Sequence, residues 1–481
     1  MELRKILKGL DFEVIKGNLD VNIGMIQYDS RKVKKGDVFV SFFKLADNGD
    51  KYLKDASLNE ARVLVSEEII DVDDDVTFIK VKDARETLAK MSINYYDNPA
   101  SKLKIIGITG TNGKTTSSYM IKAILEEAGY KTGLIGTIAN YISDKKVPSM
   151  WTTPESPELH RLLNDMVVAG VEYVIMEVSS HSLCLKRVYG IEFNVGIFTN
   201  LTRDHLDFHK TFENYFNSKL MLFNSSKVSL INIDDEYGKK IISNLENVFT
   251  YSLQDKGNVN AKDIEINSKG ASFNLAYKNE EKKININIPG SYNVYNALAS
   301  ASLAIIEGIP YKSIKGGLSK LSGVSGRCEI VSNKYNLPFD IVLDYAHTPD
   351  GLENILKTAR DFTKGRLICV FGCGGDRDKI KRPQMGEIAS NICNLVIVTS
   401  DNPRSEDPNL IIKDIVKGIS KENYRIMENR HEAIKMSMKL AHKDDVIVIA
   451  GKGHEDYQIL KTGKIHFDEH EVVDDLVKEL F

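Results

Sequence analysis

Short apolar runs recur along this chain, each followed by a turn rich in glycine or polar residues and then by a stretch of helical period. In KIIGITGTNGKTTSS, residues 104–118, Ile105 to Ile108 predict a buried parallel strand. The turn from Gly110 to Thr116 follows, then an amphipathic helix with Met120, Ala123, Ile124 and Ala128 on one face. KTGLIGTI (131–138), YVIMEV (173–178) and FNVGIFTN (193–200) repeat the strand signal between helical segments. After a turn-rich stretch at 323–329 it returns in FDIVLDY (339–345), RLICVFG (366–372), NLVIVTS (394–400) and DVIVIAG (445–451). This alternation predicts an α/β protein with mainly parallel sheets and functional groups at the carboxyl ends of strands. The first 100 residues read as a smaller α/β module with strands at 36–43 and 61–66, leaving through the proline-marked YYDNPASK (95–102). Residues 258–290 alternate more strictly and predict a β insertion. Length alone suggests about three domains, and the pattern divides them at 1–100, 101–328 and 329–481. The acidic run 71–75 reads as a solvated loop, and no internal repeat is visible.

Composition narrows the field. A net charge of −3 and a pI near 6.4 give no reason to expect a nucleic acid or an acidic membrane surface as partner. No apolar run approaches the ~20 residues that span a bilayer, and MELRKILKGLDFEV is too charged for a signal peptide. The five cysteines, 184, 328, 369, 373 and 393, fit no zinc spacing and are expected to be buried reduced thiols in a cytoplasmic, monomeric protein.

Candidate chemistry begins at the glycine turn. Strand, turn and helix N-terminus aim backbone N–H groups and a helix dipole at one spot, which suits a nucleoside triphosphate. Lys114 supplies a cation for the outer phosphates and the Thr115 hydroxyl a magnesium ligand, although Ile108 stands where the strict phosphate-loop pattern has its first glycine. GCGGDRD (372–378) lacks G-x-G-x-x-G, so dinucleotide binding is not expected there. Glu177 closes one predicted strand. Asn200 closes the next, followed by Asp204, His205, Asp207 and His209. A glutamate and a histidine beside a phosphate loop make a reasonable magnesium shell; zinc on His205 and His209 is the weaker alternative, since no third soft ligand stands nearby. Lys219 falls on the apolar face of TFENYFNSKLMLF (211–223), with Phe212, Tyr215, Phe216, Leu220 and Phe223. Two readings stay open: an ammonium snorkelling to water, which the pattern favours, or a desolvated neutral amine that takes up carbon dioxide as a carbamate.

GTNGKTT (110–116), TTPES (152–156), MEVSSH (176–181), TNLTRDHLDFH (199–209), NSKLMLF (217–223), GSYNVYNALA (290–299), VSGRCE (324–329), LDYAHTPD (343–350) and FGCGGDRDKIKRP (371–383) occur in this order. Together they resemble the Mur ligase family, and within it the branch that forms the muramoyl tripeptide. The resemblance implies an N-terminal UDP-binding domain, a central ATPase and a C-terminal Rossmann-like domain that binds the incoming amino acid. It implies an ATP site at Gly110, Thr111, Asn112, Gly113, Lys114, Thr115, Thr116, Asn296, Arg327 and Asp344. It implies magnesium at Thr115, Glu177, His205 and a carbamylated Lys219, with Lys114, Lys219 and His205 in catalytic positions. The UDP-muramoyl dipeptide would meet Ser30, Thr152, Thr153, Ser179 and Arg187. Leu185 and Trp151 stand where some relatives carry glutamine and asparagine, and SFFKLADNGDKY (41–52) departs from a glycine-rich version.

Asp401-Asn402-Pro403-Arg404 resembles the family's signature for meso-diaminopimelate. The chemistry agrees. Diaminopimelate carries a second amino-acid head. Arg404, with Arg377, offers cations for its carboxylate, while Asp401, Asn402 and Glu455 offer acceptors for its ammonium beside Gly451. Lysine lacks that distal carboxylate; lanthionine keeps both heads. The expected reaction is ATP-dependent: the D-glutamate γ-carboxylate becomes an acyl phosphate, which the amine of diaminopimelate then attacks.

Overall fold

The computed structural model describes residues 1–42, 49–71, 75–243, 245–254, 256–267, 269–321 and 323–481. Phe43 of the first predicted strand, residues 43–48 of the stretch 41–52 that departs from its relatives, and the middle of the acidic run 71–75 lie outside the described residues. The chain separates into two compact units: 1–109 with 130–196 and 218–229, and 110–129 with 197–217 and 230–481.

In the first unit, the N-terminal sheet is ordered Phe12–Lys16, Thr77–Val81, Val63–Ser66, Val38–Val40 and Ile26–Gln27. The second strand predicted here is seen at Val63–Ser66; the first is shorter than its apolar run, confined to Val38–Val40. Helix Ala84–Tyr95 covers this sheet with Leu88 and Met91 in a core shared with Val38, Val40, Val63, Val65 and Ile79. Asp83 caps the helix by accepting from the Glu86 N–H at 2.9 Å. The same unit holds strand Lys104–Thr109, parallel to Tyr173–Glu177, which is in turn parallel to Thr132–Ile135. Every residue of Tyr173–Glu177 is buried, as expected of a central parallel strand with helices on both faces. Strands Phe193–Phe198 and Ser226–Asn232 run along the chain from the first unit into the second.

In the second unit, helix Lys114–Glu127 follows the glycine turn and packs against Ser291–Ile306 and Tyr311–Lys320. The predicted β insertion is present as Val259–Asn267, Gly270–Tyr277 and Glu280–Ile286, paired antiparallel. The C-terminal sheet is ordered Glu329–Ile330, Asp340–Asp344, Val446–Ala450, Leu367–Phe371, Leu395–Val398 and Tyr424–Ile426. Its strands are parallel except for the short edge Glu329–Ile330. The four predicted apolar runs are its four inner strands, and they bury Ile341, Leu343, Ile368, Val370, Ile397, Ile447 and Ile449.

All five cysteines are free thiols; four are buried, but Cys184, at the end of the short helix Ser180–Cys184, is exposed, against expectation. No described helix is long and apolar enough to cross a membrane.

Candidate functional site

The phosphate loop is built by close approach. Gly110 has φ +153° and Gly113 φ +88°. A Cβ on Gly110 would lie 1.8 Å from Thr199 Oγ1, and one on Gly113 2.4 Å from Asn296 Oδ1, so both positions exclude a side chain. The loop is tied to the end of the strand closing at Phe198. Thr111 N–H donates to Asn200 O at 2.9 Å, Asn112 N–H to Asn200 Oδ1 at 2.9 Å, and Thr199 Oγ1 to Asn112 O at 2.6 Å. Lys114 Nζ folds back to donate to Gly110 O and Thr111 O at 2.8 and 2.9 Å, placing its charge over the turn. Arg327 Nη2 donates to Thr115 Oγ1 at 3.4 Å, and its guanidinium sits 4.6 Å from the Tyr345 ring centroid. Buried Arg327 Nε has no partner among the described residues, as befits a site that takes an anion. Asp344 accepts from Cys328 N–H and Ala346 N–H at 2.7 and 2.8 Å; burial pushes its carboxyl above the usual range, against the pull of Arg327 and those bonds. Cradle, lysine, arginine and buried Thr115 together fit a triphosphate with a divalent cation. Thr116 is buried in the first turn of the helix.

In the first unit, Glu177 is fully buried and accepts from Thr137 N–H and Thr137 Oγ1, both at 2.9 Å. Thr152 Oγ1 lies 3.0 Å from Thr137 Oγ1. Thr153 Oγ1 donates to Glu177 O at 2.8 Å and accepts from Ser179 N–H at 3.1 Å. Ser179 caps the next helix through Ser182 N–H at 3.1 Å. Arg187 Nη1 donates to Thr153 O at 3.0 Å, and its Nε pairs with Glu155 at 2.8 Å. The predicted dipeptide residues 152, 153, 179 and 187 are therefore brought together around Glu177. Ser30 stands apart in a short 3₁₀ turn, buried, its carbonyl accepting from Asn59 Nδ2 at 2.9 Å.

Lys219 is 2% exposed. That overturns the snorkelling reading, because the whole side chain, ammonium included, lies under the surface. His205, at φ +54°, precedes helix Leu206–His209; its Nε2 is 3.3 Å from Asp204 Oδ2. His209 is buried against Phe208 and Tyr215 at centroid distances of 4.8 and 5.1 Å. Among the described residues, no three His, Cys, Asp or Glu side chains gather into a ready-made metal cluster. A magnesium ion here would complete its shell with phosphate oxygens and water.

The C-terminal cluster gathers at the ends of strands Leu395–Val398 and Val446–Ala450. Arg404, at φ +52°, donates from Nη1 to Gly375 O at 2.7 Å, and a Cβ on Gly375 would lie 1.9 Å from Pro403 O. The Arg404 backbone N–H donates to Ile459 O at 3.0 Å, while the rest of the guanidinium makes no hydrogen bond to the described residues and is a planar cation able to take a carboxylate. Gly451, at φ +124°, would bring a Cβ to 3.0 Å from Asp401 Oδ2. Asn402 differs from expectation. Its Oδ1 already accepts from Lys452 Nζ at 3.0 Å and Ile459 N–H at 2.9 Å, while its Nδ2 donates to Glu455 Oε2 at 3.0 Å. It has an N–H left to offer, not an acceptor for an ammonium. Burial raises the Glu455 carboxyl above the usual range, opposed by Lys452. Arg377 is more than half exposed and 4.0 Å from Asp207.

The pattern reading missed Lys452, which is fully buried 3.3 Å from Asp401 and 3.6 Å from Glu455. Its signal was present: GKGHE follows an apolar strand directly, as the phosphate loop does. It also missed His347, whose Nδ1 lies 2.9 Å from Tyr345 O; a carbonyl only accepts, so Nδ1 carries the proton. Burial, then Lys381, pushes this imidazole below its ordinary range.

A phosphate loop in an α/β region, followed by a Rossmann-like sheet with charged groups at its strand ends, defines a nucleotide-using α/β enzyme. Residues 108–304 match the family described as Mur ligase middle domain, and residues 326–453 the Mur ligase, glutamate ligase domain. Over the full length of both chains, this one is 57% identical to UDP-N-acetylmuramoyl-L-alanyl-D-glutamate--2,6-diaminopimelate ligase of Clostridium tetani and 58% identical to that of Clostridium botulinum. A solved structure of a ligase with the same name aligns at a TM-score of 0.70 and 32% identity, covering 100% of this chain and 99% of the other. The chain belongs to the Mur ligase family.

Proposed function

We propose that this enzyme adds meso-diaminopimelate to the D-glutamate γ-carboxylate of UDP-N-acetylmuramoyl-L-alanyl-D-glutamate, at the expense of ATP, in peptidoglycan precursor synthesis. The observation that carries the specificity is Arg404, held by Gly375 with most of its N–H donors unused, beside the Asp401–Lys452–Glu455 cluster. A distal carboxylate satisfies that cation. Lysine would leave it desolvated and unpaired, which costs roughly 1.5–3 kcal/mol. On this reading the γ-carboxylate takes the terminal phosphoryl group of ATP, giving an acyl phosphate and ADP. The amine of diaminopimelate attacks the acyl carbon and expels phosphate. Lys114 and Arg327 offset phosphate charge, and the loop amides hold the phosphates in line. Thr115, Glu177, His205 and Lys219 would be the residues to hold magnesium, which when bound would supply further charge neutralisation. Burial of Lys219 supports a carbamate there, since desolvation favours the neutral amine that can take up carbon dioxide. After exchange with ¹³C-bicarbonate, a carbamate carbon signal absent from Lys219→Ala is expected; an identical spectrum would reject that modification.

The reading is tested by phosphate release with the UDP-muramoyl dipeptide, adding diaminopimelate, lysine or lanthionine in turn. Diaminopimelate should stimulate release, and Arg404→Ala should erase most of its advantage over lysine. Stimulation by lysine alone would overturn the assignment.

A further inference from the structure

The loop before Glu155 carries the one tryptophan of the chain, Trp151, 54% exposed, next to Met150, 82% exposed. A large indole left in water forgoes burial free energy, so its presentation calls for a reason. The loop is held from both sides. Ser149 Oγ lies 2.7 Å from Gly136 O and 2.9 Å from Trp151 O, Thr152 Oγ1 meets Thr137, and Thr153 Oγ1 meets Glu177 O. The Arg187 guanidinium stands 5.4 Å from the indole centroid, itself fixed by Glu155 and by Thr153 O. Backbone and ring are thus pre-positioned, which lowers the entropy lost when a ligand covers the ring.

Resting on the function proposed above, the order of the acceptor's parts limits what covers it. The uridine end is assigned to Ser30. Two residues earlier, Tyr28 Oη donates to Glu158 Oε1 at 3.0 Å, on the first turn of helix Ser156–Val168. The dipeptide end is assigned to Thr152, Thr153, Ser179 and Arg187, where Thr153 O accepts from Arg187 at 3.0 Å. Trp151 directly precedes Thr152 and Thr153, and its ring stands by Arg187, so it borders the dipeptide contacts at the point where the acceptor carries the amino sugar that bears its peptide. Arg187, and Arg85 at 3.6 Å from the same Glu155, are the cations of this stretch. An indole suits no diphosphate, but it matches the C–H face of a pyranose ring. We infer that Trp151 is a specificity residue whose indole stacks on the muramoyl sugar of the acceptor.

Because the chain has a single tryptophan, its emission reports on this position alone. Titration with UDP-N-acetylmuramic acid or its dipeptide should shift and change Trp emission, whereas UDP should leave it unchanged. Trp151→Ala should raise the acceptor KM roughly tenfold with kcat and the ATP KM little altered, and Trp151→Phe should recover most of the loss. An unresponsive tryptophan in a sample that ligates normally would overturn this inference and spare the reaction. An equal response to UDP would overturn it too, by placing the ring under uracil. Absence of ligation in the wild type would tell against the proposed function itself.

Discussion

At the scale of single residues, Lys452 bears the most consequence. Its ammonium donates to Asn402 Oδ1 at 3.0 Å and Tyr457 O at 2.7 Å and faces the Asp401 and Glu455 carboxylates. It therefore fixes which way the Asn402 amide points and offsets two buried acids. Replacing it with methionine leaves those acids without their shared cation, a change expected to cost about 3–5 kcal/mol. Calorimetry should show a lowered Tm. The KM for diaminopimelate should rise at least tenfold, while that for ATP stays near the wild-type value. The Glu455 carboxyl, already raised by burial, should rise further without Lys452. Ammonium binding needs the carboxylate and is lost as pH falls through the Glu455 pKa, so in the variant that loss should begin at a higher pH. An unchanged pH profile of the amino-acid KM would refute this arrangement.

At the scale of elements, the last helix, Glu469–Leu480, is joined to the first strand of the C-terminal sheet by one ion pair, His470 Nε2 to Glu329 Oε2 at 2.9 Å. The Glu329 bond, working against burial, pushes His470 up to about 9. Burial alone would raise Glu329, yet the His470 bond and the Gly326 N–H hold it below the usual carboxylate range. A raised histidine stabilises the fold fully below its unfolded value of about 6.5 and loses that contribution as pH climbs through about 9. With the pair part-exposed, the contribution should be about 1–2 kcal/mol. Urea unfolding at pH 7 and pH 10 should show that loss in the wild type and not in His470→Gln. What could be read at this scale from the chain alone follows the same physics. Leu367–Phe371 and Val446–Ala450 were readable because both faces of a parallel strand are buried, giving unbroken apolar runs. Lys452 was readable only as a lysine following an apolar strand; its pairing with Asn402, 50 positions away, is recorded in no local pattern. Lys219 was half readable: its face was predicted, but the depth that excludes an exposed ammonium comes only from packing. Trp151 was visible as a departure from its relatives, and its rigid presentation depends on Ser149 and Gly136.

At the scale of the whole molecule, the ordered motifs made the family readable, yet how the phosphate loop and the C-terminal sheet of the second unit engage each other depends on pairs far apart in sequence. Asp350, in the first turn of helix Pro349–Phe362, accepts from Asn112 Nδ2 at 2.6 Å and from Thr202 Oγ1 at 3.2 Å, the first of these spanning 238 positions. Both donors flank the phosphate loop. Arg327 also reaches Thr115, and Arg377 stands 4.0 Å from Asp207. Asp350 thus couples the nucleotide cradle to the region that receives the amino acid. Replacing it with alanine removes the Oδ2 that accepts both bonds and leaves Asn112 and Thr202 to be solvated. Two part-buried hydrogen bonds are together worth about 1–3 kcal/mol, so the docked arrangement should lose roughly tenfold in population. A matching fall in kcat is expected, with the diaminopimelate KM less affected because Arg404 and Glu455 are untouched. Proteolysis at the turn 323–326, slow when the segments are docked, should accelerate by a similar factor. Excess ADP should slow it again in the wild type more than in the variant, since a nucleotide that binds the docked form shifts its population. If Asp350→Ala leaves both cleavage and kcat at wild-type levels, the cradle and the amino-acid receptor are coupled through other pairs, such as Arg327–Thr115 and Arg377–Asp207.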